Sequence, residues 1–160
     1  MINNIFKKIV AARKSFATYN IGLIQTKAHR VMKSRTDDLL KEFEISSVEW
    51  ALLGLLHDNS KGLKFIDTAE MLGVEAPFIT ILVEKLSEKK LLTQITSKTD
   101  RRAKTLLITE HGNKLVPLIE DKLRKGMGSL VEGIPVGEIY SYYKVLTKIV
   151  SNSEKANKQQ

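Results

Sequence analysis

Hydrophobic residues recur at helical spacing along most of the chain. In one region this helical pattern gives way to two short β-rich runs. Between Phe65 and Thr109 the pattern predicts a short helix, a turn, a longer helix and two β-rich runs. In the longer helix, apolar residues at i, i+3, i+4 and i+7 predict one buried stripe: Ile79, Leu82, Val83 and Leu86. The β-rich runs, Leu92 to Thr96 and Lys104 to Ile108, flank a polar loop and predict a hairpin.

This order is typical of a helix-turn-helix that carries a β-hairpin "wing", a unit that usually places its second helix in a DNA groove. Gly73 fits the turn, where a positive φ costs glycine little. Pro77 fits the first turn of the second helix, where its missing N–H is harmless. The residues between those of the buried stripe should face outward: Ala76, Pro77, Phe78, Thr80, Ile81, Glu84, Lys85 and Glu88.

The segment before this unit is predicted to be helical as well. Apolar residues from Ile2 to Met32 fit one long helix, or two helices broken near residues 18–22. We interpret this segment as a packing helix with its bases in solvent, or as a basic arm that touches DNA backbone or an acidic membrane surface. A domain this short offers its apolar stripe no obvious partner, so self-association would supply one.

Capping residues place the next two helices. Thr36 is a candidate N-cap for a short helix from Asp37 to Phe43. Ser46 and Glu49 have the spacing of a capping box, which predicts a helix from Val48 to His57.

The C-terminal part is predicted to hold two more helices and a polar tail. Thr109 is a candidate N-cap for the first, and the second should run from Val136 to Val150. Tyrosines near the C-terminus favour an interface over a ligand cage: Tyr140, Tyr142 and Tyr143.

Charge narrows the candidate partners. The net charge is +8, and residues 1–36 carry eight bases and no acid, so the rest of the chain is neutral. Residues 85–104 nevertheless hold seven bases against Glu88 and Asp100, and this local excess is the better indication of phosphate contact.

Other functional classes find little support. There is no cysteine, and His29, His57 and His111 do not form a pair on one helix face, so we predict no metal site. No phosphate-binding loop or nucleophile motif is present, and we predict neither an enzyme nor a cofactor. No apolar run is long enough to span a bilayer, and no secretory signal is evident, so we expect a cytoplasmic protein. Trp50 is either a core residue or the wall of a ligand cavity.

From Asn20 to Ser151 the order of parts resembles the MarR family of bacterial transcription regulators. The most specific match is Asp100-Arg101-Arg102 in the wing, followed by a strand and by Thr109 and Gly112 in a T-x-x-G step. The resemblance implies an obligate homodimer with interlocking N- and C-terminal helices, and a pseudo-palindromic DNA operator. It also implies a small effector, often aromatic or anionic, bound between the dimerisation and DNA-binding parts.

The resemblance and the outward face together predict the DNA contacts. Asp100 would hold one wing arginine in place while the other reaches phosphate or the minor groove. Ile81 stands where family members often carry arginine, so we expect methyl contacts and an A·T-rich operator. The predicted contact residues are Ala76, Pro77, Phe78, Thr80, Ile81, Lys85, Lys98, Thr99, Arg101, Arg102 and Lys104.

The predicted fold is mainly α with a small β-hairpin wing: a winged helix-turn-helix flanked by N- and C-terminal dimerisation helices. The corresponding parts are a basic dimerisation helix or two (1–35), a DNA-binding domain (36–112), dimerisation helices (113–151) and a flexible tail (152–160). The predicted function is a dimeric, ligand-modulated regulator of transcription, most often a repressor, that binds double-stranded DNA. The alternative is a winged-helix adaptor that binds protein, or RNA, without sequence-specific DNA binding.

We predict that Arg102→Ala weakens operator binding at physiological salt, because it removes a strong phosphate or minor-groove donor. Replacing Lys98 should lower the salt dependence of binding and leave the sequence preference unchanged, as expected for a phosphate contact. Titration of labelled operator at several salt concentrations measures both effects. Wild-type affinity in the Arg102 variant would contradict the assignment of the wing.

Overall fold

The computed structural model describes residues 18–96 and 104–157, which divide into two compact units between Met127 and Gly128. The first unit is helical except for a small sheet, which confirms the predicted fold class. Its elements are α1 (Thr18–Leu40), a 3-10 turn (Lys41–Phe43), α2 (Ser47–Asp58), β1 (Leu63–Lys64), α3 (Phe65–Leu72), α4 (Ala76–Glu88), β2 (Leu92–Thr96), β3 (Lys104–Ile108) and α5 (Glu110–Met127).

Helices α3 and α4 form the predicted helix-turn-helix. Gly73 ends α3 with a φ of 64°, and the amide of Val74 donates to the carbonyl of Ala69 at 3.1 Å. Pro77 lies in the first turn of α4, as predicted. The predicted stripe is the buried face of α4, and its members are at most 3% exposed: Ile79, Leu82, Val83 and Leu86. These side chains join the core formed with α2 and the sheet, so the orientation of α4 is determined by apolar burial.

The hairpin has the predicted strands and gains a third. β2 and β3 pair antiparallel from Leu92 opposite Ile108 to Thr96 opposite Lys104. The short strand β1, which the sequence pattern did not reveal, pairs with the other edge of β3. Gly62 allows this pairing, because at its φ of 81° a Cβ would lie 2.6 Å from the carbonyl oxygen of Leu106.

The start of α5 is fastened to the end of α4. The Thr109 hydroxyl donates to the carbonyl of Lys90 at 2.7 Å and accepts from the amide of Gly112 at 3.1 Å, which confirms the predicted cap. The amide of Thr109 also donates to the carbonyl of Leu91 at 3.0 Å. Gly112 is required here, since a Cβ would lie 2.3 Å from the Leu91 carbonyl oxygen. The T-x-x-G step is therefore a packing joint between the hairpin and α5.

Helix α1 contradicts one prediction. It continues without interruption from Thr18 to Leu40, so no separate helix begins at Asp37 and Thr36 is not an N-cap. Residues 33–36 contain neither glycine nor proline, and Lys33 pairs with Asp37 across one turn at 2.6 Å, which stabilises a continuous helix. The predicted helical pattern before Thr18 lies outside the described residues.

Close contacts bind α1 to α5. The Nε of Arg35 donates to the carbonyl of Gly126 at 3.1 Å, and in the 3-10 turn that follows α1, Glu42 pairs with Lys122 at 2.8 Å. The side chain of Leu39 lies so near Gly126 that a Cβ there would approach it to 2.5 Å. Helix α1 therefore belongs to the same packed unit as the helix-turn-helix.

Helix α2 has the predicted capping box. Ser46 accepts from the amide of Glu49, and the Glu49 carboxylate accepts from the amide of Ser46 at 2.7 Å. Trp50 is half-buried and packs against the core, a position that suits both a core residue and the wall of a ligand cavity.

The second unit is described over residues 128–157. It consists of a 3-10 turn (Gly128–Leu130) and α6 (Val136–Asn157). The helix extends beyond its predicted end at Val150. It exposes a series of large apolar side chains: Val136, Ile139, Tyr140, Tyr142, Tyr143, Val145, Ile149 and Val150. In the described part of the chain, no helix is long and apolar enough to cross a membrane.

Gly112→Ala should lower the free energy of unfolding by about 1–3 kcal/mol, because the added methyl group overlaps the Leu91 carbonyl. Gly54→Ala is the matched control within α2, where a Cβ meets nothing within 4 Å. It should raise the free energy of unfolding by about 0.5–1 kcal/mol. Urea unfolding at one protein concentration measures both; equal effects would contradict the packing joint.

Candidate nucleic-acid interface

The outward face of α4 is accessible as predicted. All eight residues expected there are exposed, and the two largest apolar ones, Phe78 and Ile81, are 41% and 46% exposed. The helical repeat of 3.6 residues sets a narrower strip directly opposite the buried stripe: Pro77, Ile81, Glu84 and Glu88. The centre of the face is therefore apolar and acidic, and its polar donors lie on the flanks.

One flank of α4 faces the two long strands of the hairpin. Thr80, Val83 and Glu84 line a cavity of about 540 Å³, which we call the hairpin-side groove. The other walls come from the junction of β1 and α3 and from the two long strands: Lys64, Phe65, Ile66, Asp67, Gln94 and Lys104.

The other flank faces α1. Phe78, Ile81 and Lys85 line a cavity of about 620 Å³ that we call the α1-side groove. Its opposite wall includes Lys33, Asp37 and Lys41 of α1 and the 3-10 turn. Three predicted DNA-contact residues thus share a groove with α1.

The two grooves differ in how most of their lysines are paired, although Lys85 of the α1-side groove forms no salt bridge in the described part of the chain. On the α1 side, Lys33 pairs with Asp37 at 2.6 Å and Lys41 pairs with Asp38 at 2.7 Å. The hydrogen bond from Lys33 lowers the pKa of the Asp37 carboxyl below its usual range, so this carboxylate stays ionised at neutral pH. Within residues 18–96 and 104–157, neither Lys64 nor Lys104 of the hairpin-side groove forms a salt bridge.

The hydroxyl of Thr80 has a defined role in hydrogen bonding. It donates to the carbonyl of Ala76 at 3.5 Å, which leaves its oxygen lone pairs as acceptors toward solvent. Glu84, one turn later, is also only an acceptor when ionised. This part of the face suits partners that present amino groups and methyl groups, such as adenine or cytosine amino groups and thymine methyls.

The tip of the wing falls outside the described residues. This applies to five residues of the predicted site: Lys98, Thr99, Asp100, Arg101 and Arg102. Lys104 is described, begins β3 and is exposed. The DNA-contact roles assigned to all these residues remain predictions.

Sequence reasoning missed two polar residues beside the predicted set. Lys64 and Gln94 line the hairpin-side groove together with Thr80 and Lys104. The sequence gives only a weak signal for Lys64. It is the N-cap residue of α3, a position where lysine is not a preferred capping residue, and its side chain makes no capping bond there. Gln94 carries none, since alternation along β2 does not tell which strand face a helix will cover.

A separate cavity of about 420 Å³ lies between α2 and α5. Trp50 and Gly54 form one wall, and Val116, Pro117 and Arg124 contribute to the other. His57 also lines it, and its Nδ1 is 2.9 Å from the Oδ1 of Asn113 on α5. The cavity thus offers an indole face and one guanidinium, and the carboxylates of Asp58 and Glu120 belong to the same lining.

This arrangement, a helix-turn-helix followed by a hairpin on a helical scaffold, defines a winged helix-turn-helix protein. A MarR-family transcriptional regulator from Rhodococcus sp. RHA1 matches it with a TM-score of 0.78 and 21% identity over 84% of this chain and 95% of its own. CouR from Rhodococcus jostii RHA1, bound to p-coumaroyl-CoA, gives 0.75 and 21% over 81% and 90%. The S. aureus MepR–DNA complex gives 0.68 and 27% over 86% and 98%.

No protein-family model matches the chain. The structure nonetheless has the winged-helix fold of MarR-family transcriptional regulators, which confirms the resemblance seen in the sequence.

Proposed function

We propose that this protein is a homodimeric, DNA-binding regulator of transcription that acts as a repressor and responds to a small molecule. The observation that carries the proposal is the exposed outer face of α4, held outward by the burial of its opposite stripe. A helix so presented beside a hairpin has the shape that enters a major groove. The MepR structure, in which a protein of this fold is complexed with DNA, supports the proposal.

The helices on either side of the winged unit supply a dimer interface. In α1, several large apolar residues are exposed: Tyr19, Ile21, Leu23, Ile24, Val31 and Met32. α6 likewise exposes apolar and aromatic residues along its length. Such surfaces are costly in a monomer, and obligate dimers typically bury more than about 2,000 Å² of similar composition. In this assignment, 1–35 and 113–151 serve dimerisation, 36–112 binds DNA and 152–160 is a tail.

A selection from random duplex DNA tests the proposal and identifies the operator in the same experiment. The expected result is a pseudo-palindromic, A·T-rich site whose half-sites lie about one helical turn apart, bound by a dimer in light scattering. Binding should weaken steeply as salt rises, because phosphate contacts release counterions. A monomer, or a protein that selects no sequence, would contradict it.

The protein adaptor remains the competing function, since the centre of the α4 face is apolar and acidic. An adaptor would show neither sequence selection nor a steep salt dependence with duplex DNA. An RNA-binding protein would prefer single-stranded or structured RNA to the selected duplex in direct competition.

We place the effector in the cavity between α2 and α5. In CouR, a protein of the same fold binds p-coumaroyl-CoA, an aromatic acyl compound. Here Trp50 supplies an aromatic face and Arg124 a cation at the same cavity. A ligand wedged between α2 and α5 would act on two helices of the DNA-binding unit and so bias its affinity for the operator.

Trp50 is the only tryptophan, so its fluorescence reports on this cavity alone. An effector found by loss of operator binding should change that fluorescence with the same concentration dependence. Arg124→Gln should weaken an anionic effector by about tenfold, the effect of losing one charge-assisted hydrogen bond, while operator affinity without effector stays unchanged. An effector that leaves Trp50 fluorescence unchanged would place the site elsewhere.

A further inference from the structure

The cavity between α2 and α5 carries its indole and its charged groups at one end. The Nδ1 of His57, at the end of α2, lies 2.9 Å from the Oδ1 of Asn113, in the first turn of α5. From this contact, α2 leads back to Trp50 and α5 leads on to Glu120, each over about two helical turns. Arg124 lies one turn beyond Glu120, and all three side chains line the cavity.

Glu120 and Arg124 are both available to a ligand. They have the i,i+4 spacing at which opposite charges on a helix can pair. Within residues 18–96 and 104–157, neither forms a salt bridge with the other or with any other residue. Two pairs with the same spacing on α5 are closed, at 2.7 Å and 2.6 Å respectively: Glu110–Lys114 and Asp121–Lys125.

The charges of the lining disfavour a ligand that is only an anion. Asp58 also lines the cavity and forms no salt bridge among the described residues, so two carboxylates stand against one guanidinium. The carboxylates repel a simple anion, and Arg124 repels a simple cation. A ligand that carries both charges close together would pair with Glu120 and Arg124 at once.

We propose that the effector is an aromatic α-amino acid bound as its zwitterion, with its carboxylate on Arg124, its ammonium on Glu120 and its ring against the indole of Trp50. Both charged groups of an α-amino acid are attached to one carbon, which suits two side chains one helical turn apart. An aromatic ring packs favourably on indole. The cavity, of about 420 Å³, lies in the size range of small-molecule sites. The inference rests on the proposed function and specifies the chemical class of its effector.

The first test compares three ligands that share a phenyl ring and differ in charge. L-phenylalanine carries both groups, 3-phenylpropanoate lacks the amine and 2-phenylethylamine lacks the carboxylate. Each is titrated against the fluorescence of Trp50, the only tryptophan. L-phenylalanine should bind at least about tenfold more tightly than either of the others, because each of them lacks one charge-assisted hydrogen bond. Equal or tighter binding of 3-phenylpropanoate, or no binding of L-phenylalanine, would overturn the inference.

The second test assigns the ammonium to Glu120. Glu120→Gln should weaken L-phenylalanine about tenfold, whereas 3-phenylpropanoate should bind as before or more tightly, because a repelling carboxylate has been removed. Glu110→Gln is the matched control, since it makes the same change on the same helix but outside the cavity. It should leave the affinities of all three ligands unchanged. Equal weakening of L-phenylalanine in both variants would contradict the assignment.

Operator binding separates failure of this inference from failure of the proposed function. L-phenylalanine should change the affinity for the selected operator over the same concentrations that change the fluorescence of Trp50. If 3-phenylpropanoate has this effect and L-phenylalanine does not, the inference is wrong and the proposed function stands. If the protein selects no operator, the proposed function is wrong, whereas preferential binding of the zwitterion would still support the amino-acid site.

Discussion

The contact between the first turn of α5 and the carbonyl of Leu91 is the constraint on which the winged unit depends. Backbone meets backbone there, with Gly112 leaving no side chain between them and Thr109 bonding to Lys90 and Leu91. The joint fixes where the hairpin begins relative to α4. Because the stripe of α4 enters the same core, the helix and the base of the hairpin form one packed surface.

That surface divides its chemistry by position. The centre of α4 carries apolar and acidic groups, whereas the cations occur at its edges, on Lys85 and on the lysines of the hairpin-side groove. Such a division separates attraction to DNA, which is long-ranged and insensitive to sequence, from recognition of bases by shape and hydrogen-bond acceptors. In such a protein, a substitution at the edges of the face would leave the preferred DNA sequence unchanged. A substitution at its centre would leave the salt dependence of binding unchanged.

Local chemistry in the sequence was sufficient to place much of the fold. Ser46 and Glu49, Gly73, Pro77 and the stripe of α4 each act within a few residues, and each was found where predicted. The end of α4 was less readable, because Lys90 takes a positive φ of 59° where glycine is usual.

Features that depend on distant residues were not predictable. Thr36 has the chemistry of an N-cap, but α1 continues past it, stabilised by the Lys33–Asp37 pair and by packing against α5. Strand β1 exists because β3 offers it an edge, and Lys64 joins the candidate site through that pairing alone. The candidate site was thus predicted along α4 but not across the sheet.

The continuity of α1 has a mechanical consequence. Its 23 residues make a rod about 35 Å long that starts among exposed apolar side chains and ends packed on the winged unit. A pivot of about 5° at one end of such a rod displaces the other by about 3 Å, roughly the rise of one base pair. In the proposed dimer, an unbroken α1 would therefore act as a lever arm between the two winged units, whereas a hinge near Thr36 would absorb the same motion.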